Sequence, residues 1–215
     1  MDVIRFDDRD VLMDTAAKDI AALINAVDGP AHVVLTGGTV GVGTLERLRN
    51  EQIDWSQVHV YFGDERNVPV SDPESNEGQA REALLNHIDI PAENIHGWKL
   101  GELSLDEAVE HYTALVPDHF DLHLLGMGGE GHINSIFPDT PAVKEESALV
   151  MAVTDSPKPP AERGTLTLPA VHRAKEVWLL VSGEEKAEAA QHVIDGSPAV
   201  EWPAAGAKAT RLYLN

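Results

Sequence analysis

The sequence predicts an α/β fold, a doubly wound and mostly parallel sheet with helices on both faces. Three observations carry that prediction. Short apolar runs alternate with segments of helical period from one end of the chain to the other. Glycine-rich turns follow two of the strand-type runs, as turns from strand to helix require. No repeat, low-complexity tract or linker interrupts the 215 residues, and 43% hydrophobic content is ample for one core, so residues 1–215 are expected to form a single domain.

Taken in order, Asp2–Phe6 reads as a short strand. Arg9–Val27 places Val11, Leu12, Ala16, Ile20, Leu23, Ile24 and Val27 at a period near 3.6, the mark of an amphipathic helix. Gly29-Pro30 breaks the chain, and His32–Thr36 is a buried-type strand. A helix is expected from about Gly41 to Asn50, then a strand at Val58–Gly63. Asn67–Ser75 is a polar loop leading into a helix over Asn76–His87. Ser104–Val116 is a helix whose N-cap Ser104 and following Glu107 form a capping-box pair. Phe120–Gly126 is a strand ending in glycines. Short strands are expected at Val150–Val153 and Thr165–Leu168 around the proline-rich loop Ser156–Pro160. Glu176–Ser182 is a strand, Glu184–Ile194 a helix and Thr210–Leu214 a closing strand.

Charge is the compositional outlier, with 16 Lys and Arg against 36 Asp and Glu for a formal net charge of −20. Such a surface repels nucleic acid and anionic membrane, whose binding relies on clustered cations. Neither is expected as a partner, and any anionic ligand must find a local basic pocket. No run reaches the roughly 18 apolar residues of a membrane span, and MDVIRFDDRD lacks a basic-then-apolar leader. The absence of cysteine excludes disulfides and thiol catalysis. A cytoplasmic monomer or small homo-oligomer without cofactor is expected.

Four stretches can carry chemistry. Leu35–Gly41, LTGGTVG, lies between a strand and a helix, where Gly37 and Gly38 permit close approach and the helix N-terminus favours a phosphate. Asp64, Glu65 and Arg66 leave the C-terminal end of a strand, where open α/β sheets place ligands. Arg66 can clamp a phosphate, and Asp64 can accept hydrogen bonds from sugar hydroxyls. Gly126–His132 satisfies G-x-G-x-x-G, but Pro138 leaves no room for the long helix that a dinucleotide site needs, so the match is read as accidental. What this turn offers instead is His132, a base titrating near pH 6.5, with Glu130 two residues earlier to fix its tautomer. Its glycine N–H groups could stabilise an oxyanion. In the C-terminal part, Arg163 precedes a strand and Lys186 opens a helix, where a cation opposes the dipole and hints at an anionic ligand. No Walker loop, H-E-x-x-H or G-x-S-x-G is present, so base-activated water is favoured over a covalent or metal route.

In this order, Thr36-Gly37-Gly38-Thr39, Gly63-Asp64-Glu65-Arg66, Ser75-Asn76, Leu125-Gly126-Met127-Gly128, Gly131-His132, Ser135-Ile136-Phe137-Pro138, Arg163–Thr167 and Gly183 with Lys186 resemble the 6-phosphogluconolactonase family. That family lies within the group that includes glucosamine-6-phosphate deaminase. The resemblance implies a fold like that of the deaminase and of ribose-5-phosphate isomerase. It implies hydrolysis of a phosphorylated sugar lactone, with the phosphate held by Gly37, Gly38, Thr39, Arg66, Arg163 and Lys186, and His132 as general base. Asp64, Asn76, Gly128 and Gly129 complete the substrate-binding set it implies. Two positions depart from the pattern: Glu130 stands where Asp is usual, and Val40 follows Thr39 where proline is usual. The deaminase branch resembles this chain in the glycine loop and the Gly-His turn, but it then supplies a carboxylate that Asn134–Pro138 lacks. A non-catalytic sugar-phosphate sensor would need the phosphate loop and cations but no base.

Overall fold

The computed structural model describes residues 1–215. Nine strands are present: β1 (Asp2–Arg5), β2 (Ala31–Leu35), β3 (Val58–Phe62), β4 (Asp64–Arg66), β5 (Phe120–Leu125), β6 (Val150–Val153), β7 (Arg163–Leu166), β8 (Ala174–Val181) and β9 (Arg211–Leu214). The α-helices are α1 (Arg9–Ala26), α2 (Gly38–Leu48), α3 (Asn76–Ala83), α4 (Leu105–Leu115), α5 (Leu168–Val171), α6 (Ala187–Asp195) and α7 (Pro203–Gly206). No helix is long and apolar enough to cross a membrane.

Six strands form one sheet in the order β1-β9-β8-β5-β2-β3, and every pairing in it is parallel. The pleat sends alternate side chains to opposite faces. Along β8, Trp178 and Leu180 join one buried cluster, while Val177, Leu179 and Val181 join the other. The first cluster is closed by α1, α2 and α4 through residues such as Leu12, Ile20, Leu45 and Tyr112. The second is closed by α5, α6 and α7 through Leu168, Val171, Ala190, Val193 and Ala204. This is the expected parallel sheet with helices on both faces.

Local signals set the helix ends. Asp8 caps α1, its carboxylate accepting from Asp10 N at 2.7 Å and Val11 N at 3.0 Å. The capping box of α4 forms as expected: Ser104 Oγ accepts from Glu107 N at 3.3 Å, and Glu107 Oε2 accepts from Ser104 N at 3.0 Å.

Three differences from the sequence reading bear on function. Helix α2 starts at Gly38 rather than Gly41, with Gly37 as its cap. Asp64–Arg66, expected only to leave the end of the preceding strand, forms a strand of its own and pairs antiparallel with β7 in a second sheet of order β4-β7-β6. The strand expected at Thr165–Leu168 lies at Arg163–Leu166, because Thr167 caps α5 and Pro169 occupies its first turn. The small sheet joins the large one through Leu166 N, which donates to Gly63 O at 2.8 Å.

Candidate active site

The chain reverses its direction of travel across the large sheet between β2 and β5, since β3 lies on one side of β2 and β5 on the other. Open α/β sheets bind ligands outside the carboxyl ends of strands at such a point. Here the loops after β2, β3, β5 and β8 surround a cleft of about 630 Å³. Gly126 N donates to Thr36 Oγ1 at 2.9 Å, tying the two central loops together at its floor. Gly37, Gly38, Thr39, Asp64, Arg66, Asn76, Gly128, Gly129, His132, Arg163 and Lys186 all line it. Glu130 stands behind His132 rather than on the lining.

At one end is the N-terminus of α2. Gly38 has φ +77°, a left-handed value that favours glycine, and both Gly38 and Thr39 are exposed to the cleft. Because α2 starts at Gly38, the free N–H groups of its first turn include those of Thr39 and Val40. Gly37 must be bare for another reason, since a Cβ there would fall 2.5 Å from Asn76 Oδ1.

The two arginines come from β4 and β7, where Arg66 and Arg163 are register partners. Arg66 Nη1 donates to Glu74 O at 2.9 Å and Asn76 Oδ1 at 3.1 Å, while its Nε is buried without an acceptor. Arg163 is 3% exposed. Its Nε donates to Pro160 O at 3.1 Å, and its Nη2 to Lys158 O at 3.0 Å and Pro159 O at 3.1 Å, so only Nη1 remains free of protein acceptors. Burial lowers the Arg163 pKa and the nearby Arg66 charge adds to it, against the pull of Asp64. Asp64 accepts from Ser135 Oγ at 2.6 Å and Asn76 Nδ2 at 3.0 Å. Lys186, expected in the first turn of a helix, sits at the N-cap of α6 after a single 3₁₀ turn.

Glu65 lies between the cleft residues and is itself buried. Its carboxylate accepts from the N–H groups of Arg66, Asn76 and Glu77 and from Ser75 Oγ, at 2.8–2.9 Å. It therefore anchors the N-terminus of α3 and holds Asn76 towards the cleft. Burial pushes its carboxyl pKa up against those four hydrogen bonds.

Across the cleft, no helix follows β5; the chain runs through turns to Pro138 and beyond. His132 Nδ1 lies 2.6 Å from Glu130 Oε1, so the glutamate carboxylate reaches the ring. With Nδ1–H directed at a carboxylate, the lone pair of the neutral ring is on Nε2. The ring stacks on Phe137 with centroids 4.5 Å apart and is 19% exposed. Burial is the main cause lowering the His132 pKa from its ordinary value; Lys158 adds to it, while Glu130 and Asp64 oppose. Phe137 also receives the Arg163 guanidinium, 5.7 Å from its ring centre. One aromatic ring thus bridges the imidazole and the cation.

Gly128 is required by the histidine, because a Cβ there would collide with His132 Nδ1. The turn's donors are narrower than expected. Gly128 N donates to His132 O at 3.0 Å and Gly131 N to Gly128 O at 3.0 Å, which leaves the Gly129 N–H free. Two cations absent from the sequence reading complete the site. Arg9 opens α1 at the cleft, and Lys158 pairs with Glu130 at 3.0 Å. No group of three or more His, Cys, Asp or Glu side chains is arranged to hold a metal ion.

Residues 7–214 match the family described as glucosamine-6-phosphate isomerases/6-phosphogluconolactonase. The chain is 47% identical to 6-phosphogluconolactonase of Mycobacterium leprae, covering 97% of this chain and 93% of that protein. It is 48% identical to that of Mycobacterium tuberculosis, covering 94% and 89%. The fold superposes on the crystal structure of 6-phosphogluconolactonase from Thermotoga maritima with a TM-score of 0.89 at 26% identity, over 99% and 98% of the two chains. A monomeric glucosamine-6-phosphate deaminase shares the fold, with a TM-score of 0.83 at 22% identity over 100% and 96%.

Proposed function

The chain belongs to the family of glucosamine-6-phosphate isomerases and 6-phosphogluconolactonases, and we propose that it hydrolyses 6-phospho-D-glucono-1,5-lactone to 6-phosphogluconate in the oxidative pentose phosphate pathway, with His132 as general base. The observation that carries this reading is the pairing of His132 Nδ1 with Glu130 at 2.6 Å on the wall of a cleft shared with Arg66, Arg163 and Lys186. A base and an anion site then face one small-molecule pocket. The reading takes residues 1–215 as one catalytic domain working in the cytoplasm.

In this mechanism the phosphate is held between the N-terminus of α2, Arg66 Nε, the free Nη1 of Arg163 and Lys186. Asp64 and Asn76 meet the sugar hydroxyls. His132 Nε2 removes a proton from water as the water oxygen bonds to the lactone carbonyl carbon. The Gly129 N–H faces the oxyanion that develops. When that intermediate collapses, the bond from carbonyl carbon to ring oxygen breaks, and the imidazolium returns its proton to the departing ring oxygen. Glu130 holds the tautomer and stabilises the imidazolium in between. General-base help is worth roughly 10²–10⁴ in rate, or about 3–5 kcal/mol, so orientation by the phosphate must contribute as well.

The deaminase reading lacks its acid. Asp139, the first carboxylate after the histidine, is on the surface beside Lys144 and does not line the cleft. The test is acid release from freshly made lactone, with the spontaneous rate subtracted. His132→Ala is expected to lose 10²-fold or more of kcat, with product affinity little changed. Activity within threefold of the parent enzyme would refute the base assignment, and no acceleration by the parent itself would refute the lactonase reading.

A further inference from the structure

The loop Ser156–Ala161 connects β6 to β7 and is closed on itself. Ser156 N donates to Ala161 O at 3.0 Å, and Lys158 N donates to Ser156 Oγ at 3.3 Å. The guanidinium of Arg163 then gathers three consecutive carbonyls of this loop, those of residues 158, 159 and 160. An arginine fixed by three acceptors makes a rigid strut, because its planar fork loses little freedom per bond. The strut ends at Lys158, whose ammonium reaches back across the cleft wall. It lies 3.0 Å from Glu130 Oε1 and 3.2 Å from Glu130 Oε2.

The same oxygen, Glu130 Oε1, receives His132 Nδ1. One carboxylate is therefore shared between an ammonium and an imidazole. We propose that Lys158 is a positioning residue of the hydrolysis, clamping both oxygens of Glu130 so that the carboxylate presents a fixed edge and a reduced charge to His132. The proposal rests on His132 being the base, and it adds a residue from a separate loop to the set implied above.

The chemistry follows from charge. A carboxylate alone beside an imidazole stabilises the imidazolium and makes a base that is protonated over much of the neutral range. An ammonium on the far side of the carboxylate offsets part of that effect. Every charged group facing the ring fits this account. Burial against Phe137 is the main cause lowering its pKa; Glu130 in its own turn and Asp64 on β4 raise it, and Lys158 lowers it. Arg163 lies beyond Phe137, and Lys186 and Glu185 border the cleft from the turn before α6. Glu130 itself is held below the ordinary carboxylate range: burial opposes, but its own N–H, His132 and Lys158 prevail. The result is an imidazole oriented by a carboxylate yet neutral at physiological pH, as a general base must be.

A second consequence joins the two ends of the site. Arg163 fixes the loop bearing Lys158, and it also lines the cleft with Nη1 free of any protein acceptor. Phosphate binding and the setting of the base then share one side chain.

Lys158→Met, Lys158→Arg and Glu130→Gln/Lys158→Met, set beside Glu130→Gln, test the proposal. Two readouts are needed: the pH profile of kcat/KM for the lactone, and the titration of the His132 imidazole followed by NMR in the whole protein. In Lys158→Met the imidazole is expected to titrate about half a pH unit higher, since a half-exposed charge at this range is strongly screened. The acid limb of kcat/KM should move up with it, and kcat should fall about tenfold with KM within twofold. Lys158→Arg should restore both, and adding Lys158→Met to Glu130→Gln should change neither. A rise in KM with the imidazole titration unmoved would make Lys158 a substrate ligand and overturn the proposal; so would a variant indistinguishable from the parent. The NMR readout is independent of activity, so an imidazole that moves while the activity profile stays fixed would point to failure of the base assignment.

Discussion

Arg66 and Arg163 face each other as register partners across the antiparallel pairing of β4 with β7. Like charges in direct cross-strand opposition are destabilising, and here one carries a buried, unpaired Nε while the other is almost wholly buried. The arrangement is explained if a third, anionic group belongs between them. A phosphate dianion would accept the orphaned N–H groups and remove the repulsion together.

It follows that Arg66→Met should weaken substrate and product binding, raising KM about 10- to 100-fold, the range expected for a hydrogen bond to a charged group. The kcat should change much less, because the arginine does not touch the reacting carbon. Inorganic phosphate should raise the melting temperature of the parent protein and leave that of the variant nearly unchanged. Equal phosphate stabilisation of both proteins would place the anion elsewhere.

The glycine between Arg163 and Thr165 gives a second prediction, about packing. A Cβ on Gly164 would strike the six-membered ring of Trp98. That indole cannot retreat, since Nε1 donates to Phe62 O at 3.0 Å and its ring stacks on Tyr112 at 3.8 Å. Gly164→Ala should destabilise the fold by about 1–3 kcal/mol and disturb the β4–β7 register that sets the two arginines. Urea unfolding measures the first effect and KM the second. A variant as stable as the parent would mean that the indole has room to shift.

How far the sequence revealed all this depends on the separation of the partners. Glu130 and His132 are two residues apart, and Gly37, Gly38 and Thr39 join a strand to a helix, so the chemistry of each stretch could be read locally. The large sheet was equally legible, because runs such as Phe120–Leu125 have the composition of a doubly covered strand. The small sheet was not. Asp64-Glu65-Arg66 has the charge of a solvated loop, and only the folded chain brings Glu65 under the two N–H groups of Asn76 and Glu77 at the start of α3. Lys158 was hidden for the same reason, being 28 positions from the carboxylate it grips and delivered there by the β6–β7 pairing.

Acid should weaken the fold through histidines that the cleft does not use. His123, wholly buried on β5 with Nδ1 unpartnered, has its pKa pushed down by burial to about 3. His96, stacked on Tyr61 at 4.5 Å, is pushed down to about 4 by burial and then by the charges of His59 and His32. Both lie below the ordinary 6.5, so between those values the unfolded chain binds more protons than the folded one. The stability they contribute is complete above pH 6.5 and is lost as pH falls towards 4 and 3. One such group gives a slope of about 1.4 kcal/mol per pH unit; half-buried His96 gives less because of solvent screening. His123→Gln should therefore lose about 2 kcal/mol less than the parent between pH 6.5 and 5 in urea unfolding. Identical losses would assign the acid sensitivity to other groups.

Arg9 allows the acidity of the whole chain to be weighed against the local field of the cleft. The formal charge is −20, which by itself repels an anionic lactone. The cleft, however, is lined by Arg9, Arg66, Lys158, Arg163 and Lys186 against the carboxylates Asp64 and Glu185. Arg9 is exposed, on the first turn of α1, and, unlike the exposed Lys158, it forms no ion pair. Its influence on an approaching ligand is therefore long-range and screened beyond about 8 Å at physiological salt. Rim charges of this kind alter association rate and salt dependence more than bound-state affinity. Arg9→Ala should lower kcat/KM about two- to fivefold at low ionic strength and converge on the parent in 0.5 M salt, with kcat unchanged throughout. If kcat falls instead, or if the deficit persists in high salt, Arg9 contacts the bound substrate and the field in the cleft owes nothing special to it.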